Sequence, residues 1–266
     1  MNKIKFLFFC LLSFFALTAC SSTNDESQNK EQDNLAIMTE DVKSSDSTKE
    51  GVVTDNENIS RDNVTVVESE LAFAFNYEEV ERLIEDSELA VEGIVVSTEN
   101  YVYIDKDTGQ GEPFTKLSFK INKVLNGDSR LEGKEITVLE MGGYITAEQS
   151  GMGDKFPDLT EEELNETFFV IPDGHKPSIK GDEMVAFLTS ETEGFETGFD
   201  FYTFIGVYQS KFEYNENSEE YVRPSEDFEE LIEGAETKKE RSIIEEEEQI
   251  EESINTEVTK LVEEAE

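Results

Sequence analysis

Cysteine placement sets the first constraint on how this chain can fold. The two cysteines of the 266 residues, Cys10 and Cys20, both lie within the first twenty positions. No disulfide can therefore form within residues 21–266, and a domain there must be held together by packing alone. The chain has no tryptophan, but its 19 phenylalanines and 8 tyrosines can fill a core of modest size. Without the polar ends, roughly 140–160 residues remain, which suits one domain.

The excess of acidic over basic residues limits the kinds of partner that the protein can bind. Acidic residues number 63 against 22 basic ones, a formal net charge of −41. If residues 1–19 are removed, Lys3 and Lys5 leave with them and the charge becomes −43 (20 basic against 63 acidic). Such an excess repels the phosphates of nucleic acids and of anionic lipid heads. We therefore expect no nucleic-acid partner.

The first twenty residues resemble an export signal. Lys3 and Lys5 supply positive charge, and residues 4–17 are almost purely apolar yet too short to span a bilayer comfortably. Leu17-Thr18-Ala19-Cys20 resembles the lipobox of bacterial lipoproteins. The resemblance implies a lipid on Cys20, which becomes the new N-terminus and anchors the protein on the extracytoplasmic face of the cell membrane. An ordinary secretory signal or a short anchor helix is the alternative.

Composition divides the rest of the chain. Residues 20–66 are dominated by polar side chains and cannot bury enough apolar surface to offset the entropy of ordering, so we expect a disordered tether. The predicted organisation is a signal peptide at 1–19, this tether, a β domain at 67–225 and an acidic helical tail at 226–266.

A short helix is expected to open the β domain. Asn76 and Glu79 have the spacing of a capping box. Val80, Leu83 and Ile84 then follow at the i, i+3, i+4 spacing that places them on one helix face. A second capping box, Thr160 with Glu163, predicts another short helix within the long connection at 144–180.

Strand signals begin at residue 89. Residues 89–97 and 101–104 are rich in β-branched residues, with a bend or bulge expected at Gly93. Leu117, Phe119 and Ile121 alternate with polar residues, as in a strand with one buried face. Further strands are predicted at 136–140, 168–171, 184–188, 202–208, 211–214 and 221–222. Short strands separated by turns suggest a small antiparallel β-barrel.

Three segments carry a resemblance to a family. Residues 87–97, 119–127 and 181–188 resemble strands of a recurrent OB-like domain of bacterial surface lipoproteins. The layout is also similar to that of the N-terminal domain of tissue inhibitors of metalloproteinases and of netrin modules. The resemblance implies an OB-like barrel over residues 86–210. It does not transfer zinc chelation, because the domain has no cysteine, or single-strand binding, because the chain is acidic.

The acidic tail carries an apolar stripe. Helix formers and the spacing of the stripe predict a helix from about residue 238 to 264. The stripe is Ile243, Ile250, Ile254 and Leu261. It can pack on the barrel, form a coiled coil or fit a partner's groove, or belong to a solitary helix, which repulsion among the glutamates at 245–248 favours. These four residues are the candidates for binding a protein partner.

Catalytic and metal-binding chemistry find little support. His175 is the only histidine and has no second histidine or domain cysteine to complete a nucleophile–base pair, and zinc and iron sites need more such ligands. Asp105 and Asp107 begin like a calcium loop, but Gln110 and Lys116 stand where that loop needs glycine and a bidentate glutamate. We interpret this segment as a hairpin loop with Asp105 and Asp107 as weak calcium candidates, and expect no cofactor.

The leading hypothesis is a non-enzymatic, lipid-anchored cell-surface protein that binds an unidentified ligand. Its expected contacts are the membrane, through the lipid on Cys20, and a protein partner, through the tail. The alternative is a surface hydrolase or assembly factor with a site in the connection at 144–180, since long connections in compact domains are often functional. A deep pocket or a cluster of shifted carboxylates beside His175 would favour it. A signalling role for the cleaved fragment 14–19 is a third hypothesis.

Overall fold

A computed structural model of the chain describes residues 52–54, 64–190, 195–225 and 227–265. The predicted signal peptide, Cys20 and most of the expected tether lie outside the described residues. The described part is mainly β with a long C-terminal helix, which confirms the predicted fold class at that level. No helix among the described residues combines the length and the apolar composition that crossing a bilayer requires.

Eleven strands and five helices are numbered in chain order within the described residues. The strands are β1 (Val52–Thr54), β2 (Thr65–Ser69), β3 (Leu89–Ile104), β4 (Gly111–Asn126), β5 (Glu135–Met141), β6 (Gly143–Thr146), β7 (Thr167–Pro172), β8 (Glu183–Thr189), β9 (Tyr202–Phe204), β10 (Lys211–Asn215) and β11 (Glu220–Val222). The helices are α1 (Val80–Asp86), α2 (Met152–Lys155), α3 (Glu161–Leu164), α4 (Phe228–Gly234) and α5 (Lys238–Glu264). Short 3₁₀ turns lie at Ser129–Leu131 and Val207–Ser210.

The larger sheet is built as an uneven ring. Its strand order is β1-β3-β4-β5-β9-β8-β10-β11, and β3 also pairs with β8, so the five strands β3, β4, β5, β9 and β8 form a circuit of pairings. β3 and β4 pair along almost their whole lengths, whereas β9 joins β5 and β8 through two residue pairs each. This uneven ring does not by itself establish the expected closed barrel.

A smaller sheet contains β2, β7 and β6, with β2 parallel to β7. Its first strand begins at Thr65, and the backbone of Val52–Thr54 pairs with β3. These positions fall within the segment predicted to be a disordered tether at 20–66, so that prediction does not hold for them. The prediction rested on composition, which indicates only how much apolar surface a segment can bury by itself. In the structure, the edges of β3 and β7 supply backbone hydrogen bonds to these residues.

β8 is buried on both faces and divides the core. Val185 and Phe187 pack with α1 and α5 in one cluster, while Met184 and Leu188 pack in a second cluster with β3, β4 and β5. The predicted alternation in β4 is confirmed, because the three residues predicted to share its buried face all lie in the second cluster: Leu117, Phe119 and Ile121. A third, aromatic cluster contains Tyr101, Tyr103, Phe114 and Leu139.

Gly93 lies at an irregularity of β3, where the sequence predicts a bend or bulge. The pairing of β3 with β4 shifts register between Glu92 and Gly93. A side-chain carbon at position 93 would collide with the backbone carbonyl oxygen of Lys120. Glycine is therefore needed here for the close approach of the two strands.

The N-terminus of α1 differs from its prediction. Its N-cap is Glu79, which makes no side-chain capping bond, so the predicted capping box with Asn76 is wrong. The backbone N–H of Tyr77 instead donates to Gln209 Oε1 at 2.8 Å, which holds this segment against the turn before β10. The second predicted capping box, Thr160 with Glu163, is confirmed at the start of α3.

The C-terminal half of α5 packs on the β domain. The helix spans the predicted residues, but Ile254 and Val258 are buried in the core cluster with α1 and β8. Asn255 and Thr259 accept hydrogen bonds from the backbone N–H groups of Arg223 and Tyr221. The solitary helix that glutamate repulsion favoured is therefore not the observed arrangement, and the tail is continuous with the core of the domain.

Candidate functional site

The connection at 144–180 places His175 beside a strained turn. The His175 ring lies on the ring of Tyr208 with centroids 3.8 Å apart, and the Tyr208 hydroxyl donates to Asp173 Oδ2 at 3.1 Å. Asp173 has φ 50° and Val207, which precedes Tyr208, has φ 59°. Positive φ is unusual for a β-branched residue, so tertiary contacts hold this segment in place.

A buried ion pair lies next to His175. Lys211 Nζ is 2.8 Å from Glu140 Oε1 and 3.0 Å from Glu213 Oε1, and Lys211 is only 1% exposed. The backbone N–H of Ser178 donates to the other Glu140 oxygen at 2.8 Å. Burial lowers the pKa of Lys211, but Glu140 and Glu213 outweigh burial and the net pKa is raised. Lys211 is therefore a cation at neutral pH and acts as a hydrogen-bond donor.

This arrangement favours a structural role. The cavity between His175, Tyr208, Glu140 and Lys211 has a volume of about 50 Å³. That is room for about one or two water molecules, not for a substrate. Ser178 Oγ lies 3.4 Å from Lys211 Nζ, but a protonated lysine cannot take a proton from a serine. The deep pocket that the hydrolase hypothesis needs beside His175 is not found among the described residues.

A larger concavity, the β5 groove, lies where β5 and β9 separate. β9 pairs with β5 only through Val138–Tyr202 and Leu139–Thr203. The chain before β9 diverges from residues 135–137 and leaves an open groove of about 880 Å³. Its described lining is Glu135, Ile136, Thr137, Ser190 and residues 195–202.

One wall of the β5 groove is aromatic and anchored in the third core cluster. Phe199 meets Tyr101 edge-on at 5.5 Å between centroids, and Phe195 packs on Tyr103 at 4.8 Å and on Phe114 at 5.7 Å. Such aromatic pairs add to the stabilisation from burial. This wall is therefore fixed by contacts with the core beneath it.

The β5 groove is acidic. Its described lining includes Glu135, Glu196 and Asp200 and contains no lysine or arginine. From outside the lining, Lys106 pairs with Glu196, and the Lys116 ammonium lies 4.6 Å from the centroid of the Phe199 ring. Burial, followed by the charges of Glu88 and Asp128, raises the pKa of Tyr202. The charge of this site suits a cationic ligand.

The weak calcium candidates lie in the hairpin loop between β3 and β4. Asp105 Oδ1 accepts the backbone N–H groups of Asp107 at 3.1 Å and Thr108 at 2.7 Å, together with the Thr108 hydroxyl. The Thr108 hydroxyl and backbone bonds hold the pKa of Asp105 below its usual value. Asp105 thus closes the turn, and no group of three or more acidic, His or Cys side chains suited to a metal ion occurs among the described residues.

The four partner-binding candidates of the tail do not share one exposed face. Ile254 is 1% exposed and lies in the core, and Leu261 is partly buried against the same cluster. Ile243 is 47% exposed and Ile250 is partly buried. Ile254 is therefore wrong as a partner-binding residue, because docking on the β domain already uses the C-terminal part of the stripe.

Sequence reasoning missed the β5 groove. The local signal was the aromatic density of residues 195–201, where Phe195, Phe199 and Phe201 alternate with polar and glycine residues. Comparisons of the chain with protein-family models, with curated proteins and with solved structures find no significant match. The site is therefore interpreted from its own geometry.

Proposed function

We propose that the protein is a lipid-anchored binding module of the cell surface, attached through Cys20, with the β5 groove as its ligand site. The observation that carries the proposal is the groove itself. Its volume of about 880 Å³ lies within the range of ligand sites, which is about 300–1,000 Å³. In this proposal the ring is an OB-like barrel that opens between β5 and β9.

A binding role fits the chemistry of the groove better than catalysis. Its described lining contains aromatic rings, carboxylates, hydroxyls and strand backbone, but no histidine, cysteine or lysine. General acid–base and nucleophilic catalysis most often use such side chains. Beside His175 of the connection at 144–180, the described residues supply only the ion pair of Lys211, from β10, with Glu140 and a cavity of about 50 Å³.

Attachment through Cys20 is supported by the lipobox-like residues and by physical reasoning. Two acyl chains hold a protein stably at a bilayer, whereas one chain is marginal. The net charge near −43 after cleavage would repel the body of the protein from anionic lipid heads. A lipid and a polar segment would thus hold the binding domain at the cell surface without pressing it onto the membrane.

The test compares Cys20→Ala with its matched control Cys10→Ala in cells supplied with a labelled fatty acid. We expect Cys20→Ala to lose the label and to leave the membrane fraction, because the acceptor thiol is absent. Cys10→Ala, in the apolar segment, should keep both properties. Label and membrane association that survive in Cys20→Ala would contradict the anchoring.

A further inference from the structure

We propose that the β5 groove binds an extended, positively charged peptide segment of another protein, which adds as a strand to the free edge of β5. The inference rests on the proposed function, because it names the partner of the same groove. Three features support it: the backbone edge of β5, the aromatic wall and the acidic lining.

Over residues 135–137 of β5, the backbone edge that faces β9 lies beyond the end of the β5–β9 pairing. Leu139 O accepts the Thr203 hydroxyl at 3.1 Å, so the Leu139 backbone faces β9. Alternate residues of a strand direct their backbone groups to the same edge, so those of Thr137 and Glu135 face it too. Among the described residues no strand pairs with them there, since β9 ends its pairing at Val138. An extended peptide can form backbone hydrogen bonds along such an edge.

The aromatic wall gives the added strand a place for apolar side chains. Phe195, Phe199 and Phe201 are only partly buried, although Phe195 and Phe199 are fixed by the core beneath them. Side chains of a strand alternate between two faces. A peptide on β5 can therefore direct every second side chain to these rings and the others away from them.

The charge of the groove selects the peptide. Glu135 and Asp200 line it together with Glu196, whose charge is paired with Lys106, and the chain carries a net charge of −41. A field of this sign attracts cations and repels acidic segments. The matching sequence alternates lysine or arginine with aliphatic or aromatic residues, which combines the charge with side chains for the phenylalanine wall.

The first experiment measures fluorescence anisotropy of labelled peptides with the full-length protein in detergent. The probe is an eight-residue peptide that alternates lysine and valine. One comparison peptide replaces each lysine by glutamate, and another is N-methylated at every backbone amide, which keeps the charge and removes the N–H donors. We expect the Lys–Val peptide to bind and both comparison peptides to bind at least about tenfold more weakly.

Hydrogen exchange locates the peptide. Exchange of the amides of Glu135 and Thr137 should slow when the Lys–Val peptide is added, because strand addition gives them new partners. Equal binding of the N-methylated peptide, or binding without this protection, would show that charge alone attracts the peptide and would overturn strand addition. Preferential binding of a cationic glucosamine oligomer would overturn the peptide as the ligand class.

A variant pair tests the site. Asp200→Lys reverses a charge in the lining, and we expect it to weaken binding of the Lys–Val peptide by about tenfold. Asp158→Lys makes the same change at an exposed aspartate outside the lining and should bind as the unaltered protein does. Equal binding by both variants overturns the groove as the site, provided that circular dichroism shows both to be folded.

The two proposals fail separately. If Cys20→Ala leaves the membrane but the Lys–Val peptide does not bind, the peptide inference is wrong and the anchoring stands. If Cys20→Ala stays in the membrane fraction, the anchoring is wrong, while peptide binding in detergent still reports on the groove.

Discussion

Lys211 and Glu140 show how single residues join the connection at 144–180 to the sheet. Both are nearly fully buried, and their 2.8 Å contact joins β10 to β5, while Ser178 of the connection donates to the same carboxylate. Burial of two charges costs several kcal/mol per ion, so a buried pair adds little net stability. Removal of one partner is different, because the other charge stays buried.

We predict that Glu140→Gln lowers the free energy of unfolding by about 3–5 kcal/mol, because Lys211 loses its main counter-charge. Urea denaturation at neutral pH measures the change. Glu264→Gln is the matched control: its 3.4 Å pair with Lys260 is exposed, so it should change stability by less than about 0.5 kcal/mol. Similar losses in both variants would show that the buried pair has no special role.

The ion pair of Lys211 and Glu140 also makes the stability of the protein depend on pH in the alkaline range. The pKa of Lys211 is raised in the folded protein, so its contribution is complete below the unfolded-state value of about 10.4 and is lost as pH rises through the folded value. The double variant Lys211→Met, Glu140→Leu lacks this group. Its stability should fall less steeply above that pH, and identical slopes would contradict the assignment.

Among the elements, α5 has two halves with different roles. Its C-terminal half contributes Ile254 and Val258 to the core. Arg223, at the end of β11, pairs with Glu251 at 2.8 Å and donates to the carbonyl of Tyr77 at 2.8 Å, which links α5 to the segment before α1. The N-terminal half carries Ile243, which is 47% exposed.

We predict that Ile254→Ala lowers the free energy of unfolding by about 2–5 kcal/mol, because it leaves a cavity in the core. Ile243→Ala is the matched control, with the same substitution on the same helix at a position that is 47% exposed. It should change stability by less than about 0.5 kcal/mol. Chemical denaturation compares the two, and equal effects would mean that α5 does not dock through Ile254.

At the scale of the whole molecule, charge and topology act together. The chain has a net charge of −41, so its carboxylates repel one another in a compact fold. Four consecutive glutamates, at 245–248, lie on α5. The ring of strands is weakest at β9, which is held by two pairs on each side. The β5 groove lies at this weak part of the ring, between β5 and β9.

We predict that sodium chloride stabilises the protein, because salt screens repulsion between surface carboxylates while buried pairs are screened less. The free energy of unfolding should rise between about 20 mM and about 500 mM salt. A variant with glutamine at positions 245–248 carries four fewer negative charges, so its rise should be smaller. Stability that falls with salt would show that attractive surface pairs dominate instead.

Features that lie within one secondary-structure element could be predicted from the sequence. The buried positions of β4, the irregularity of β3 at Gly93 and the span of α5 are confirmed, because each follows from the residues of one short segment. The mainly β class follows from the same patterns. Lipid attachment at Cys20 stays a prediction from the sequence.

Tertiary structure alone decided which surfaces are covered and where the groove lies. Glu140 and Lys211 are 71 residues apart, and Tyr77 meets Gln209 across 132 residues. No periodicity within a segment reports such contacts. For that reason the predicted capping box at Asn76 was wrong, and the sequence could not decide that the stripe with Ile254 packs on the β domain. The β5 groove exists because two strands stop pairing after two residues, and the length of a pairing depends on how the whole ring closes.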